Sequence, residues 1–259
     1  MDVKINQYTA SQMATGAFDG GRITEIKPIG FPHEGGAVTR VSTLFYWAWA
    51  KAKEEGYIPP HPHQAFEILS YVIQGKTHHG DSLGTDSVVG AGGAQLIQAG
   101  SGVEHSERIV GPDADMLQIW FEPNLLEARK RPPHYVQFEH EAFPVHESGG
   151  ATVKTVLGDG APFLLVADAR MWDITVQAGH SYEPVLPPGR TWTALIIGGK
   201  GIMRSAEAGE EQVQYASEQF IISTGNEDDN EVLRIEAEEA TRLIAIEVPT
   251  NVDYPLYRK

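Results

Sequence analysis

Cysteine is absent from this 259-residue chain. Disulfides and thiolate metal sites are therefore excluded, which leaves His, Asp and Glu as the strong metal ligands. Long apolar runs are missing as well: no segment approaches the ~20 apolar residues that a membrane span requires. Positive charge is scarce, with 20 Lys and Arg against 35 Asp and Glu and a net charge of −15. That excess repels phosphate backbones, so direct nucleic-acid contact is not expected. Residues 1–19 lack the basic-then-apolar pattern of a secretory leader. The expectation is a cytoplasmic chain without a membrane partner. Helical pattern is also sparse. One stretch, Trp47 to Glu55, has good helix formers and stops at Gly56, so a short helix is expected there.

What the chain does have is short β-rich segments punctuated by glycine. Residues 66–73, 94–98, 116–121, 172–176, 193–197, 220–222 and 243–248 are rich in Ile, Val, Phe, Trp and Tyr. Gly75, Gly84, Gly90, Gly92, Gly198 and Gly199 mark the breaks. Many short strands with close turns argue for a sandwich or barrel. The chain also repeats itself. Residues 71–76 (YVIQGK) resemble 195–200 (LIIGGK), and 95–98 resemble 219–222, both at an offset of 124; residues 117–123 resemble 243–249 at 126. Three ordered matches at nearly one offset predict two copies of one β-domain, with the Pro-containing stretch 124–144 between them.

Two short motifs carry the chemistry: His61-Pro62-His63 and His105-Ser106-Glu107. Each has i, i+2 spacing, which on a strand turns both side chains to one face. If the two strands pair, three imidazoles and one carboxylate form a pocket of nitrogen and oxygen donors. That set suits a divalent first-row transition metal and not calcium or magnesium. The second copy lacks it. At the 124-residue offset Val185 and Pro187 stand for His61 and His63, and Asp229 for His105, with only Glu231 matching Glu107. Every histidine except His180 lies before residue 151, so one site per chain is expected.

Other clusters rank lower. The adjacent His78 and His79 face opposite ways on a strand and cannot chelate one ion together; a hairpin rim is the simpler role. His134, His140 and His146 fall in the connecting stretch, and the acidic run 227–231 suits a solvated loop. The glycines of 90–93 lack the Lys and the following helix of a phosphate loop.

Gly56, His61-Pro62-His63, Glu67 and Gly75 resemble the first cupin motif, and Gly100 to His105 the second. HPHQAFEILSYVIQGKTHHGDSLG with the later QLIQAGSGVEHSE is similar to the pirin family of bicupins. The close match covers about residues 59–123. The resemblance implies an all-β bicupin with two cupin-type β-barrels (double-stranded β-helix, or jelly-roll) in one chain. Residues 1–130 would form an N-terminal barrel with the metal, 131–150 a linker, and 151–259 a metal-free barrel. It further implies that His61, His63, His105 and Glu107 hold one divalent transition metal, Fe(II) first, with Mn, Ni, Cu or Zn as alternatives. Ordinary cupins would use Glu67; strand parity with His105 favours Glu107, leaving Glu67 in reserve as a ligand or as an acceptor behind one. Departures are Gln64-Ala65, where Arg-Gly is common in pirins, and the 47–55 segment.

Bacterial pirins of the quercetinase type imply a dioxygenase acting on flavonol-like enols. Its partner would be an aromatic small molecule, with Glu107 as the catalytic base that accepts the substrate's hydroxyl proton. Phe66, Ile97 and Trp120 could wall such a pocket, though barrel core is the simpler role. Eukaryotic pirins imply the alternative, a non-enzymatic iron-dependent regulator that binds a protein partner.

Overall fold

The computed structural model describes residues 4–206 and 212–259. The chain divides into two compact units. One holds residues 13–143, 162–168 and 253–259; the other holds 4–12, 144–161 and 169–252.

In chain order the strands begin with β1 (Lys4–Tyr8), β2 (Ala14–Phe18), β3 (Ile23–Ile29), β4 (Leu44–Ala52), β5 (Glu55–His63) and β6 (Glu67–Asp81). Next come β7 (Asp86–Gly90), β8 (Ala94–Gln98), β9 (Val103–Phe121), β10 (His134–Phe138) and β11 (Val145–Ser148). Then follow β12 (Ala151–Leu157), β13 (Arg170–Val176), β14 (Ser181–Tyr182), β15 (Val185–Leu186) and β16 (Arg190–Gly198). The last are β17 (Lys200–Ser205), β18 (Gln212–Ala216), β19 (Phe220–Thr224), β20 (Glu231–Ala237) and β21 (Thr241–Pro249). One four-residue helix, α1 (Leu125–Ala128), is capped by the Asn124 side chain.

The first unit is an antiparallel sheet of order β10-β8-β6-β9-β4-β3-β2, extended by β5 on β9 and by β7 on β6. The second has the order β1-β19-β16-β21-β13-β12-β11, with a further sheet β14-β20-β17-β18 and β15 on β20. From β8 to β2 and from β19 to β11 the two orders correspond strand for strand. The repeated segments fall on corresponding strands: 95–98 on β8 and 219–222 at β19, then the ends of β9 and β21. The long strands β6 and β9 run continuously where their counterparts are split in two. The expected linker, 131–150, contributes β10 to one unit and β11 to the other.

The helix expected at Trp47–Glu55 is absent; these residues lie in β4, the bend at Lys53-Glu54 and the start of β5. β4 pairs with β3 on one side and β9 on the other. Nearly every residue of β4 is buried, Tyr46 and Ala48 in one hydrophobic cluster, Ala50 and Ala52 in another. Helix propensity separates these residue types by tenths of a kcal/mol each, whereas burial of one large side chain contributes about 1.5–3 kcal/mol. Burial wins. Gly56 is no helix stop: it lies within β5, where a Cβ would collide with the Ile23 side chain. Gly75 is a bend inside β6, at φ +79°, where a Cβ would meet Val110 O at 2.6 Å and Ala114 Cβ at 2.7 Å.

Candidate metal centre

Strands β5, β9 and β6 lie side by side and carry the site. In β9 burial alternates, with Val103, His105, Glu107 and Ile109 turned inward. β5 meets β9 in two registers: Ile58 lies opposite Glu107, but His61 lies opposite His105. The irregularity falls at Pro59-Pro60. Without that extra residue, strand parity would turn the His61/His63 pair to the other face.

The three imidazoles converge. Ring centres are 4.4 Å apart for His61–His105 and 4.8 Å for both His61–His63 and His63–His105. One ligand atom from each lies within 4.8 Å of the other two, and this is the one such group of three or more potential ligands among the described residues. His61 Nδ1 lies 2.9 Å from the Pro59 carbonyl, so this nitrogen carries the hydrogen and Nε2 is left bare. His63 Nε2 and both nitrogens of His105 are buried without a hydrogen-bond partner. Burial, reinforced by the neighbouring imidazoles, lowers the pKa of both His63 and His105 to about 3. Both are neutral at pH 7. Neutral, convergent, unpartnered imidazole nitrogens are what a divalent transition metal takes. The donor set fits the ion.

Glu107 is fully buried on the same face, yet its carboxylate is engaged elsewhere. Oε1 accepts from Ser70 Oγ at 3.1 Å, and Oε2 from Gln118 Nε2 at 2.6 Å. Gln118 Oε1 in turn accepts from Trp120 Nε1 at 3.2 Å. Glu67 has a structural role. Its oxygens accept from the amides of Val166 and Ala167, at 2.8 and 2.7 Å, and from Gln98 Nε2 at 2.6 Å. Burial raises the Glu67 pKa, and those hydrogen bonds oppose the rise.

Of the apolar residues expected along a pocket wall, Trp120 meets His63 edge-on at 4.8 Å. Phe66 packs behind Trp120, and Ile97 is core, clustered with Ile68, Ala99 and Val103. His63 also lines an open depression of about 610 Å³ with Pro62, Gln64, Ser82, Gly102, Val103 and Glu104. Of the Gln64-Ala65 pair, Gln64 lines it, and Ala65, which follows, takes φ +69°.

One pair escaped the sequence analysis. His79 is buried rather than at a rim, and its Nε2 lies 2.8 Å from Asp81 Oδ2. The available signal was the i, i+2 spacing of His79 and Asp81, the same rule that singled out His61 and His63. His134, His140 and His146 are exposed. In the second unit Val185 faces Val232 where His61 faces His105 in the first. Glu231 faces Leu186 and accepts from Asn226 Nδ2.

Paired barrels built on one strand order, the first with a histidine-lined interior, define an all-β bicupin. Residues 43–121 match the family model described as Pirin, which spans β5, β6 and β9. A pirin-like protein of Caulobacter vibrioides is 32% identical over 164 residues, 56% of this chain and 55% of that protein. A Pseudomonas aeruginosa protein provisionally named a quercetin 2,3-dioxygenase is 35% identical over 136 residues, 51% of this chain and 56% of its own length. The chain thus spans about half the length of the curated relatives it matches. The bacterial pirin YhhW of Escherichia coli, solved in complex with nickel(II), has a TM-score of 0.76 at 19% identity, covering 95% of this chain and 99% of that one. Residues 43–121 thus carry a Pirin match, and the fold of the chain is that of the bacterial pirins. No helix among the described residues is long and apolar enough to cross a membrane.

Proposed function

We propose that this chain is a metal-dependent dioxygenase of flavonol-like enols, working through His61, His63, His105 and Glu107. The observation that carries the proposal is the convergence of three imidazoles whose ligand atoms lie within 4.8 Å of one another. Glu107 shares their face, and the name of the Pseudomonas relative supports the substrate class. A divalent ion held there would orient an enol and stabilise its developing negative charge.

The chain's own residues supply the rest. Glu107 accepts the substrate's hydroxyl proton, and Ser70 and Gln118 hold its oxygens in the carboxylate's place. Trp120, tied to the same network through Gln118, offers an aromatic edge beside His63. The depression at His63 has the volume of a small-molecule site.

The test is oxygen consumption with a panel of flavonols, using protein loaded with Fe(II), Mn(II), Ni(II) or Cu(II). Turnover that stops on chelation supports the proposal. Zn(II) should bind without turnover, because it has no accessible redox change. Full metal content with no oxygen uptake across the panel would refute an oxygenase, and protein binding that depends on the metal's state would then favour the regulatory alternative.

A further inference from the structure

Metal-bound imidazoles almost always set their second nitrogen against a carboxylate, carbonyl or water, which fixes ring and tautomer. His61 has such a partner in the Pro59 carbonyl. His105 has none. The ring beside it is His79, 5.5 Å away centre to centre, and His79 Nδ1 is likewise buried and unpartnered. No role assigned above uses His79.

His79 is nevertheless firmly held. Tyr135 stacks on it at 4.3 Å and 16°, and the Tyr135 hydroxyl is fixed by Ser87, Gln95 and Gln137. Asp81 Oδ1 accepts from the amides of Leu83 and Thr85, at 2.9 and 3.0 Å, which leaves Oδ2 to His79. Burial alone would raise the Asp81 pKa. Hydrogen bonds from His79 and from Thr85 and Leu83 overrule it and hold the carboxyl below its usual range. An ionised carboxylate only accepts, so His79 carries hydrogen on Nε2. The strands set these groups in two rows across β5, β9 and β6: His61, His105 and Asp81 in one, Glu107 and His79 in the next.

We propose that His79 and Asp81 form a positioning relay for the metal centre: His105 donates Nδ1–H to His79 Nδ1, and His79 donates Nε2–H to Asp81. The relay rests on His105 being a ligand, as proposed above. Its atoms are complementary throughout. A hydrogen on His105 Nδ1 leaves Nε2 bare for an ion, and a hydrogen on His79 Nε2 leaves Nδ1 free to accept. Ring centres 5.5 Å apart leave about 3.2 Å between nitrogens that face each other along the line of centres, at the long end of the hydrogen-bond range.

The test uses the full chain with Zn(II), which is diamagnetic, read by ¹⁵N NMR and by chelator competition. In the Zn(II)-loaded parent, His79 should carry its proton on Nε2, and the two Nδ1 atoms should show coupling across an N–H···N bond. In Asp81→Asn the turn amides keep Oδ1, so the new NH₂ faces His79 Nε2 and drives the proton onto Nδ1, donor against donor. Zn(II) affinity should fall about 10–100-fold, with the His79 tautomer inverted. His79→Phe preserves the stack on Tyr135 but offers no acceptor, and should lose affinity similarly. It decides the matter if Asp81→Asn fails to fold. Parent-like affinity in the folded variants, or a His79 Nδ1–H in the loaded parent, overturns the relay alone. A parent that takes up no Zn(II) overturns the relay and the proposed centre together.

Discussion

Acid should destabilise the metal-free protein through His105 in particular. The ring is 1% exposed, and its pKa lies near 3 because of burial and the neighbouring His61 and His79. In an unfolded chain a histidine titrates near 6.5. A lowered folded-state pKa means that the unfolded chain takes up the proton first. Stability is thus fully present above pH 6.5 and is lost as pH falls through 6.5 towards 3. Between pH 7.5 and 5.0 the penalty covers about 1.5 pH units at 1.36 kcal/mol each, or about 2 kcal/mol. Glu25 and Glu67, whose pKa values are raised chiefly by burial, push the other way as pH falls. A variant comparison cancels them. Urea unfolding of metal-free parent and His105→Gln at both pH values should show the parent losing about 2 kcal/mol more. Equal pH dependence would refute the claim that His105 is held neutral by its surroundings.

Further outcomes follow from the same geometry. Elemental analysis should find one ion per chain, and His61→Ala should weaken binding by more than the ~10–100-fold typical of groups behind a ligand. Glu107→Gln should impair metal binding and abolish turnover, whereas Glu67→Gln should retain the metal yet lose about 1–3 kcal/mol, because an amide cannot accept from both Val166 and Ala167. The opposite pattern by chelator competition, metal lost in Glu67→Gln and kept in Glu107→Gln, would reverse that assignment. Ala65→Gly should raise urea stability by roughly 1 kcal/mol, since φ +69° is strained for alanine.

Much of the fold was legible because burial and strand period act locally. All seven expected strand segments lie wholly or almost wholly within strands, and the repeat offset anticipated the shared strand order. The three histidines were legible for the same reason: i, i+2 spacing is a backbone property. The β4 strand was not, because Ala and Lys carry a weak helical preference that only burial against β3 and β9 overrides. Glu67 was ambiguous because its partners, Val166 and Ala167, lie about a hundred residues away. Adjacent His78 faces away from His79, and only the i, i+2 relation to Asp81 reveals a partner on its own face. The engagement of Glu107 by Ser70 and Gln118 joins β6 to two distant points of β9, which spacing along one segment cannot reveal.

The Pro59-Pro60 irregularity has a consequence for metal exchange. Each proline fixes φ near −65°, so the backbone leading into His61 is already set when the site forms. Coordination then has little chain to order, unlike in small domains whose folding free energy is their metal-binding free energy. An ion could therefore depart and another take its place without the barrel opening. Under that regime the resident metal is decided by supply and by the intrinsic affinity order of divalent ions, more than by assembly of the protein. Occupancy would report the metal economy of the surroundings at a given time.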